Sequence, residues 1–296
     1  MLGQLRQGVV LRDPGLPDRG AGAAAEPGAR PIVDAGDTEG SLNSAQKVCA
    51  VLRALGRLAP AELRAISRLA GLNKVTTFRI LGSLVTEGFA SRPPETQLYD
   101  VGPELVVLTA SQAGRVDLRA AARSSLSMLA ARSGDAAVLS IRSGTEAVCV
   151  DRQTGTFPIQ SNYLYPGTRR PLGVGAGATA LLAALAPFEA DTLLDALGDR
   201  LGPFPNLSLP LIRDRVLEAR RCGYALVTDL IVDRLGGVAT AIHSPGGDVV
   251  GAFSILGLTE RITGRIDELV ALLKQAAGDT QQALLSIHGS PKPPKS

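Results

Sequence analysis

Residues 72–92 read LNKVTTFRILGSLVTEGFASR, and this stretch decides the fold of the N-terminal half. Asn73 is a good N-cap and predicts the start of a helix. Gly88 predicts the end of that helix. The side chains expected to face the core recur at i, i+3, i+4 and i+7, and they are Thr77, Ile80, Leu81 and Leu84.

The sequence before this stretch predicts two more helices, and the sequence after it predicts a hairpin. Ser44 is a plausible N-cap of the first helix, whose apolar positions are Val48, Val51, Leu52 and Leu55. Pro60 fits the first turn of the second helix, and Gly71 suits the left-handed residue that ends it. Two short strands are expected at 89–92 and 98–101. This order of elements is typical of a winged helix-turn-helix domain.

The outward face of the third helix carries side chains of the kinds that reach phosphates and base edges in a major groove. Arg64 and Arg68 on the second helix are placed to meet backbone phosphates. The full set of predicted DNA-binding residues is Arg64, Arg68, Lys74, Val75, Thr76, Phe78, Arg79, Ser83 and Arg92. The alternative is a solvated helix face in a small domain that contacts proteins. The pattern alone leaves both open.

Length and composition bound the remaining possibilities. A chain of 296 residues suggests about two domains. The net charge of +3 permits nucleic-acid binding without requiring it, and an aromatic content of 3% disfavours a base-stacking platform. With no apolar run of 18 residues and no apolar signal-peptide core, we expect a cytoplasmic protein with no membrane partner.

Catalytic and metal chemistry finds little support in the sequence. Three widely spaced cysteines exclude a CxxC zinc site, and two histidines nearly exclude a histidine metal site. Cys149 or Cys222 with His243 is the one conceivable nucleophilic pair, and paired carboxylates and a serine elbow are missing. We therefore expect no catalytic residues, no metal, no cofactor and no enzyme activity.

The chain is expected to divide into five segments. Residues 1–43 and 289–296 are rich in Gly or Pro, which predicts disordered tails. The DNA-binding domain is placed at 44–102, a linker helix at 103–116 and a second domain at 117–288. Leu105 to Leu108 make this linker apolar, which fits either a partner-packed segment or an ordinary core helix.

The second domain mixes helices with hairpin-linked strands, so its predicted class is α+β with an antiparallel sheet. Ser143 to Thr145 form the turn of the first predicted hairpin, and Pro245 to Asp248 separate the last two strands. Helices are expected at 117–133, after 173–177, at 189–198, 208–222 and 261–286, and strands at 136–142, 147–152, 238–243 and 249–256.

Both halves resemble the IclR family of bacterial transcriptional regulators. The residues that match its DNA-binding domain are Lys74, Thr76, Phe78, Arg79, Ile80, Leu81, Leu84, Glu87 and Gly88. Asn73 replaces the common proline, Val75 a small hydroxyl residue, and Gly82 a longer polar residue. The segments GYALVTD, GGVATAI and GGDVVGAFSIL resemble the family's effector-binding domain, which has a GAF-like fold.

The resemblance implies a homodimer or dimer of dimers that binds a double-stranded operator and responds to a small carboxylate or aromatic effector. It carries over the pocket residues Val174, Gly175, Ala176, Gly177, Asp229, Ser254 and Leu256. Gly237 stands where the family often has a cysteine. The residues themselves suggest a helix N-terminus that binds a carboxylate at 175–177, or merely tight helix–sheet packing. Arg169 and Arg170 either pair with an anionic effector or lie in a solvated loop.

Two functions remain after this reasoning. The first is a DNA-binding transcriptional regulator whose operator binding a small molecule modulates. The alternative is a metabolite-binding protein or enzyme whose N-terminal helical domain mediates protein contacts.

Overall fold

The computed structural model describes residues 42–110, 117–161 and 163–288, which divide into an N-terminal and a C-terminal compact unit. Apart from Leu42 and Asn43, the predicted tails lie outside the described residues. The end of the predicted linker, 111–116, lies outside them as well.

The described part of the N-terminal unit, residues 42–110, contains four helices and a two-stranded hairpin. Its elements are α1 (Ser44–Leu58), α2 (Leu63–Ala70), α3 (Lys74–Thr86), β1 (Ala90–Ser91), β2 (Asp100–Val101) and α4 (Pro103–Ala110). β1 and β2 pair antiparallel, with Ala90 opposite Val101. Side chains from α1, α2, α3 and the hairpin share one apolar core.

Two predicted helix starts are wrong by a few residues. Asn43, not Ser44, caps α1, because its side chain accepts from the Gln46 N–H while the Gln46 side chain accepts from the Asn43 N–H. Asn43 therefore belongs to the folded unit and not to the tail. The second helix begins at Leu63, after Glu62, so Pro60 precedes it.

The turn between α2 and α3 has the predicted geometry. Gly71 ends α2 with a φ of 68°, a left-handed conformation that glycine adopts without strain. The Asn73 side chain accepts from the Thr76 N–H at 2.8 Å and caps α3. Thr77, Leu81 and Leu84 are buried, whereas Ile80 is half-buried. The relative placement of these two helices is therefore set by local contacts.

The C-terminal unit is built on a six-stranded antiparallel sheet with the order β5-β4-β3-β8-β7-β6. The strands are β3 (Ala136–Ser143), β4 (Glu146–Gln153), β5 (Arg169–Pro171), β6 (Ala225–Thr228), β7 (Leu235–His243) and β8 (Val249–Leu258). The α+β class and the antiparallel sheet are confirmed. β5 and β6 are additions to the prediction, since three or four residues are too few to show an alternating pattern.

Helices cover both faces of this sheet. They are α5 (Leu118–Ser133), α6 (Ala176–Ala183), α7 (Pro187–Asp195), α8 (Leu209–Cys222), α9 (Thr259–Gly264) and α10 (Ile266–His288). Alternate residues of β8 face opposite sides: Phe253 packs in the core with α5 and α10, and Ala252 packs in the core with α6 and α8. None of the described helices combines the length and the apolar composition that spanning a membrane would require.

Candidate functional site

The exposed face of α3 is the first candidate site. Val75 and Phe78 are 71% and 52% exposed, which is unusual for side chains of their size. Arg79 and Ser83 lie one and two turns beyond Val75 on the same face, and both are exposed. Apolar groups interspersed with cations and hydroxyls suit a surface that meets thymine methyl groups and phosphates.

The other predicted DNA-binding residues lie on the surface of the same unit. Lys74, Arg64 and Arg68 are exposed, and Thr76 is half-buried. Arg92 donates from Nε to the Gln97 carbonyl at 3.1 Å, and its guanidinium lies 4.9 Å from the centre of the Tyr99 ring. The hairpin therefore holds Arg92 in a defined position at the base of its loop.

Gly82 lies on the exposed face of α3, and a Cβ there would contact nothing within 4 Å. We expect Gly82→Ala to stabilise the helix by about 1 kcal/mol, because alanine loses less backbone entropy than glycine. For a domain of roughly 60–100 residues, 1 kcal/mol raises the melting temperature by about 4–8 °C. Scanning calorimetry of the full chain should show a rise of this size in the melting temperature of the N-terminal unit.

Gly102 provides the matched control for this substitution. A Cβ on Gly102 would overlap the carbonyl oxygen of Gly88 and the backbone of Phe89. Gly102→Ala should therefore lower the same melting temperature. An unchanged or lower temperature for Gly82→Ala would contradict the assignment of Gly82 to an unobstructed helix surface.

The second candidate site is a cavity at the N-terminus of α6. Gly175 caps this helix with a φ of 92° and without a side-chain hydrogen bond, and the first residues of the helix line the cavity. The predicted residues that line it are Val174, Gly175, Ala176, Gly177, Ser254 and Leu256. The cavity has a volume of about 400 Å³ when space open to solvent is included. Little of this volume is wide enough for a water-sized sphere, so the cavity suits a compact ligand.

Asp229, the seventh predicted pocket residue, lies elsewhere. It follows β6 with a φ of 59°, and its Oδ1 accepts from the Thr259 hydroxyl at 2.8 Å. Its neighbours are Arg234 and Glu260, in a separate surface depression. The structure therefore brings six of the seven predicted pocket residues together and leaves Asp229 apart.

Arg170 lines the cavity, and for this residue the sequence left two alternatives open: pairing with an anionic effector, or a place in a solvated loop. It is 6% exposed, so the solvated-loop interpretation is wrong for it, and its guanidinium lies 4.9 Å from the Tyr163 ring centre. Arg169, its neighbour in β5, turns the other way and donates from Nη1 to Glu146 at 3.0 Å. Successive side chains of a strand point to opposite faces of the sheet, and this separates the two arginines. The sequence did not predict β5 as a strand, because three residues are too few to show that alternation.

Ser140 is a cavity residue that sequence reasoning did not assign. Ser140 and Ser254 are 6% and 1% exposed, and their Oγ atoms lie 3.6 and 3.5 Å from the point where a Cβ on Gly177 would stand. Neither hydroxyl has a hydrogen-bond partner among the described residues. The sequence signal for Ser140 is a lone hydroxyl inside the apolar run of β3.

Of the nucleophilic pairs considered from sequence, that of Cys149 with His243 is not assembled. Burial raises the pKa of the Cys149 thiol to about 12, and this thiol donates to the Asp151 carbonyl at 3.6 Å. His243 is exposed at the end of β7. β4 and β7 are separated by β3 and β8, which puts these strands roughly 14 Å apart at ~4.8 Å per strand. Cys222, at the end of α8, is half-buried.

Asp151 is a structural carboxylate. Its Oδ2 accepts from Nε of Arg119 on α5 at 2.9 Å, which ties β4 to that helix. The Arg152 guanidinium donates to the Ser161 carbonyl at 2.9 Å, and the backbone N–H of Arg152 donates to the Asp151 carboxylate at 2.8 Å.

Comparison with known proteins identifies the two units. Residues 44–94 match the family model described as the IclR helix-turn-helix domain, and residues 110–282 match the model described as the C-terminal part of the bacterial transcriptional regulator IclR. The chain belongs to the IclR family of bacterial transcriptional regulators. The resemblance stated from sequence is confirmed.

Individual IclR-family members agree with this assignment. The HTH-type transcriptional regulator XynR of Escherichia coli is 28% identical over 198 residues, which cover 67% of this chain and 78% of XynR. The repressor AllR of Klebsiella pneumoniae is 32% identical over 123 residues, 40% of this chain and 44% of AllR. An IclR regulator from Alicyclobacillus acidocaldarius has a TM-score of 0.66 at 25% identity, covering 82% of this chain and 99% of its own.

The family defines the class of function. IclR-family proteins are DNA-binding transcriptional regulators that respond to small-molecule effectors, and this chain is such a regulator. The alternative of an N-terminal domain for protein contacts is not favoured, since that domain matches the helix-turn-helix model. An IclR homologue from Microbacterium hydrocarbonoxydans, 22% identical with a TM-score of 0.66 over 82% of this chain and 100% of its own, was crystallised with 4-hydroxybenzoate.

Proposed function

We propose that this regulator reads its operator with the exposed face of α3. The observation that carries the proposal is the combination of two exposed apolar side chains, Val75 and Phe78, with Arg79 on a helix that Asn73 caps. Lys74 and Arg79 meet phosphates or base edges, and Val75 contacts a thymine methyl. Arg64, Arg68 and Arg92 contact the backbone.

The proposed effector site is the cavity at the N-terminus of α6. A helix N-terminus that no side chain caps, with the positive end of the helix dipole, suits a carboxylate. The effector is a small organic acid, and 4-hydroxybenzoate in the Microbacterium homologue is one example of that class. Binding modulates operator affinity and involves no chemical conversion, so the protein is not an enzyme and needs no cofactor.

The proposed regulator acts as a homodimer in the cytoplasm. Val106, Val107 and Leu108 of α4 are 67%, 54% and 46% exposed, which favours packing of the linker helix against a second copy over burial in the core of its own unit. A two-fold symmetric dimer binds a pseudo-palindromic operator, with half-sites about one helical turn apart or a multiple of it.

DNA binding is tested by fluorescence anisotropy with the full-length chain and duplexes that flank its own coding region. We expect saturable binding, tighter than to random duplex, with log affinity falling linearly against log salt. Each phosphate contact contributes a slope of about 0.9. If the flanking duplexes behave like random DNA, selection of bound fragments from the whole genome follows. If that selection recovers no bound fragment, the proposal that α3 recognises an operator is refuted.

A further inference from the structure

The effector cavity carries a positive charge on one wall. Among its described lining residues, Arg170 alone has a side chain that is ionised at neutral pH. Its Nη1 atom lies 3.7 Å from the point where a Cβ on Gly175 would stand. The guanidinium therefore lies beside the N-terminus of α6, where the helix dipole is also positive.

Strand pairing and two aromatic rings fix the position of this guanidinium. Arg170 pairs with Ala147 of β4, which also lines the cavity, so both side chains point to the same face of the sheet. The guanidinium lies 4.9 Å from the centre of the Tyr163 ring and 5.9 Å from that of Phe204. Such contacts restrict the guanidinium plane, and a preorganised cation loses less entropy when it binds an anion.

The hydroxyls of Ser140 and Ser254 provide an independent sign of a ligand. Ser140 is 6% exposed and Ser254 1%, and both face Gly177 in the first turn of α6. Both serines line the cavity, so their hydroxyls can form hydrogen bonds with a polar group bound there. The hydroxyls lie near Gly177 and the guanidinium near Gly175, so polar groups flank the helix terminus on two sides.

Building on the proposed effector function of this cavity, we propose that Arg170 is the specificity-determining residue and restricts the effector to compact organic anions. The carboxylate of the effector binds between the Arg170 guanidinium and the N–H groups of α6. A second oxygen of the effector, a hydroxyl or keto group a few bonds away, hydrogen-bonds to Ser140 and Ser254. A neutral amide accepts weaker hydrogen bonds from the guanidinium and the helix N–H groups than a carboxylate does, because it carries no net charge.

Matched pairs of an acid and its amide test this selection. Pyruvate with pyruvamide and 4-hydroxybenzoate with 4-hydroxybenzamide are titrated into the full-length protein by calorimetry. In at least one pair the acid should bind about tenfold or more tightly than the amide. Arg170→Met should remove that preference by weakening the acid alone. Arg169→Met removes an equal charge from the opposite side of β5 and should leave the preference unchanged.

Two further variants distinguish loss of the Arg170 charge from a folding defect in Arg170→Met. Arg170→Lys retains the charge and should keep a preference for the acid at lower affinity. Ser140→Ala should weaken acid and amide alike, because the hydroxyl contacts the second oxygen. Each variant is checked for wild-type circular dichroism and operator affinity.

Three results would overturn the proposal: equal binding of acid and amide to the wild-type protein, binding of no probe, or an undiminished preference in Arg170→Met. The operator titration separates this failure from that of the proposed function. A protein that binds its operator but shows no preference for acids refutes the role of Arg170 only. A protein that binds no DNA refutes the regulator mechanism instead.

Discussion

Replacing Asp135 with alanine should lower the melting temperature of the C-terminal unit by about 6–12 °C. Asp135 follows α5, and its side chain is fully buried. Its carboxylate accepts from Nε and Nη2 of Arg261, both at 3.1 Å, and lies 3.9 Å from Arg265. This ion pair connects the start of β3 to α9, 126 residues further along the chain.

The size of the effect follows from what the substitution leaves behind. Removing one partner of a buried ion pair costs about 3–5 kcal/mol, since the remaining charge loses its compensation. Arg261 is 25% exposed and stacks on the Phe157 ring at 3.6 Å, so water compensates part of the loss. We therefore expect a loss of about 3 kcal/mol in the free energy of unfolding, the lower end of that range. In a domain of about 150–250 residues each kcal/mol lowers the melting temperature by about 2–4 °C, which gives the expected decrease of about 6–12 °C.

Scanning calorimetry of the full chain measures this shift, with Glu260→Ala as the matched control. Glu260 precedes Arg261, its side chain is 86% exposed, and its contact with Arg234 is 4.0 Å long. Removing it should leave the melting temperature unchanged, because exposed ion pairs contribute little. A similar shift for both variants, or none for Asp135→Ala, would contradict the assigned role of the buried pair.

Asp135 also shows why part of this structure cannot be predicted from sequence. The close approach of its carboxylate requires Gly257, where a Cβ would lie 2.8 Å from Oδ1. Neither Gly257 nor Arg261 is near Asp135 in sequence, so no local pattern reveals the contact. By contrast, Gly71 and Asn73 act within three residues of their own positions, and the turn before α3 was predictable for that reason.

The residues of the effector cavity also differ in whether they could be predicted from sequence. The glycine-rich start of α6 is visible in the sequence because a helix N-terminus is a local feature. Arg170 and Ser140 enter the cavity through strand pairing, of Arg170 with Ala147 and of Ser140 with Cys149 and Ala252, which only the folded sheet defines. Asp229 was predicted as a pocket residue because its segment resembles the family's effector-binding domain. The backbone turn after β6 instead places its carboxylate beside the Thr259 hydroxyl, which donates to it.

Arg79→Ala should weaken operator binding at least tenfold while leaving the fold unchanged. Arg79 is exposed one turn beyond Val75 on α3, in a unit whose core residues Thr77 and Leu81 face the opposite way. An arginine that contacts a guanine edge contributes about 1–3 kcal/mol, roughly 5- to 150-fold in affinity, and we expect Arg79 to lie above the lower end because it is central on the exposed face. A surface substitution away from the core changes stability by about 0.5 kcal/mol at most.

The salt dependence of this variant distinguishes the kind of contact that Arg79 makes. If Arg79 contacts a phosphate, the slope of log affinity against log salt shrinks by about one, and affinity falls equally for all sequences. If Arg79 contacts a base, the slope changes less and discrimination at one operator position is lost. Arg221→Ala, an exposed arginine of α8 in the other unit, removes the same charge and should affect neither quantity. Equal affinities of Arg79→Ala and wild type would exclude the face of α3 as the recognition surface, since the exposed Val75 and Phe78 flank Arg79 there.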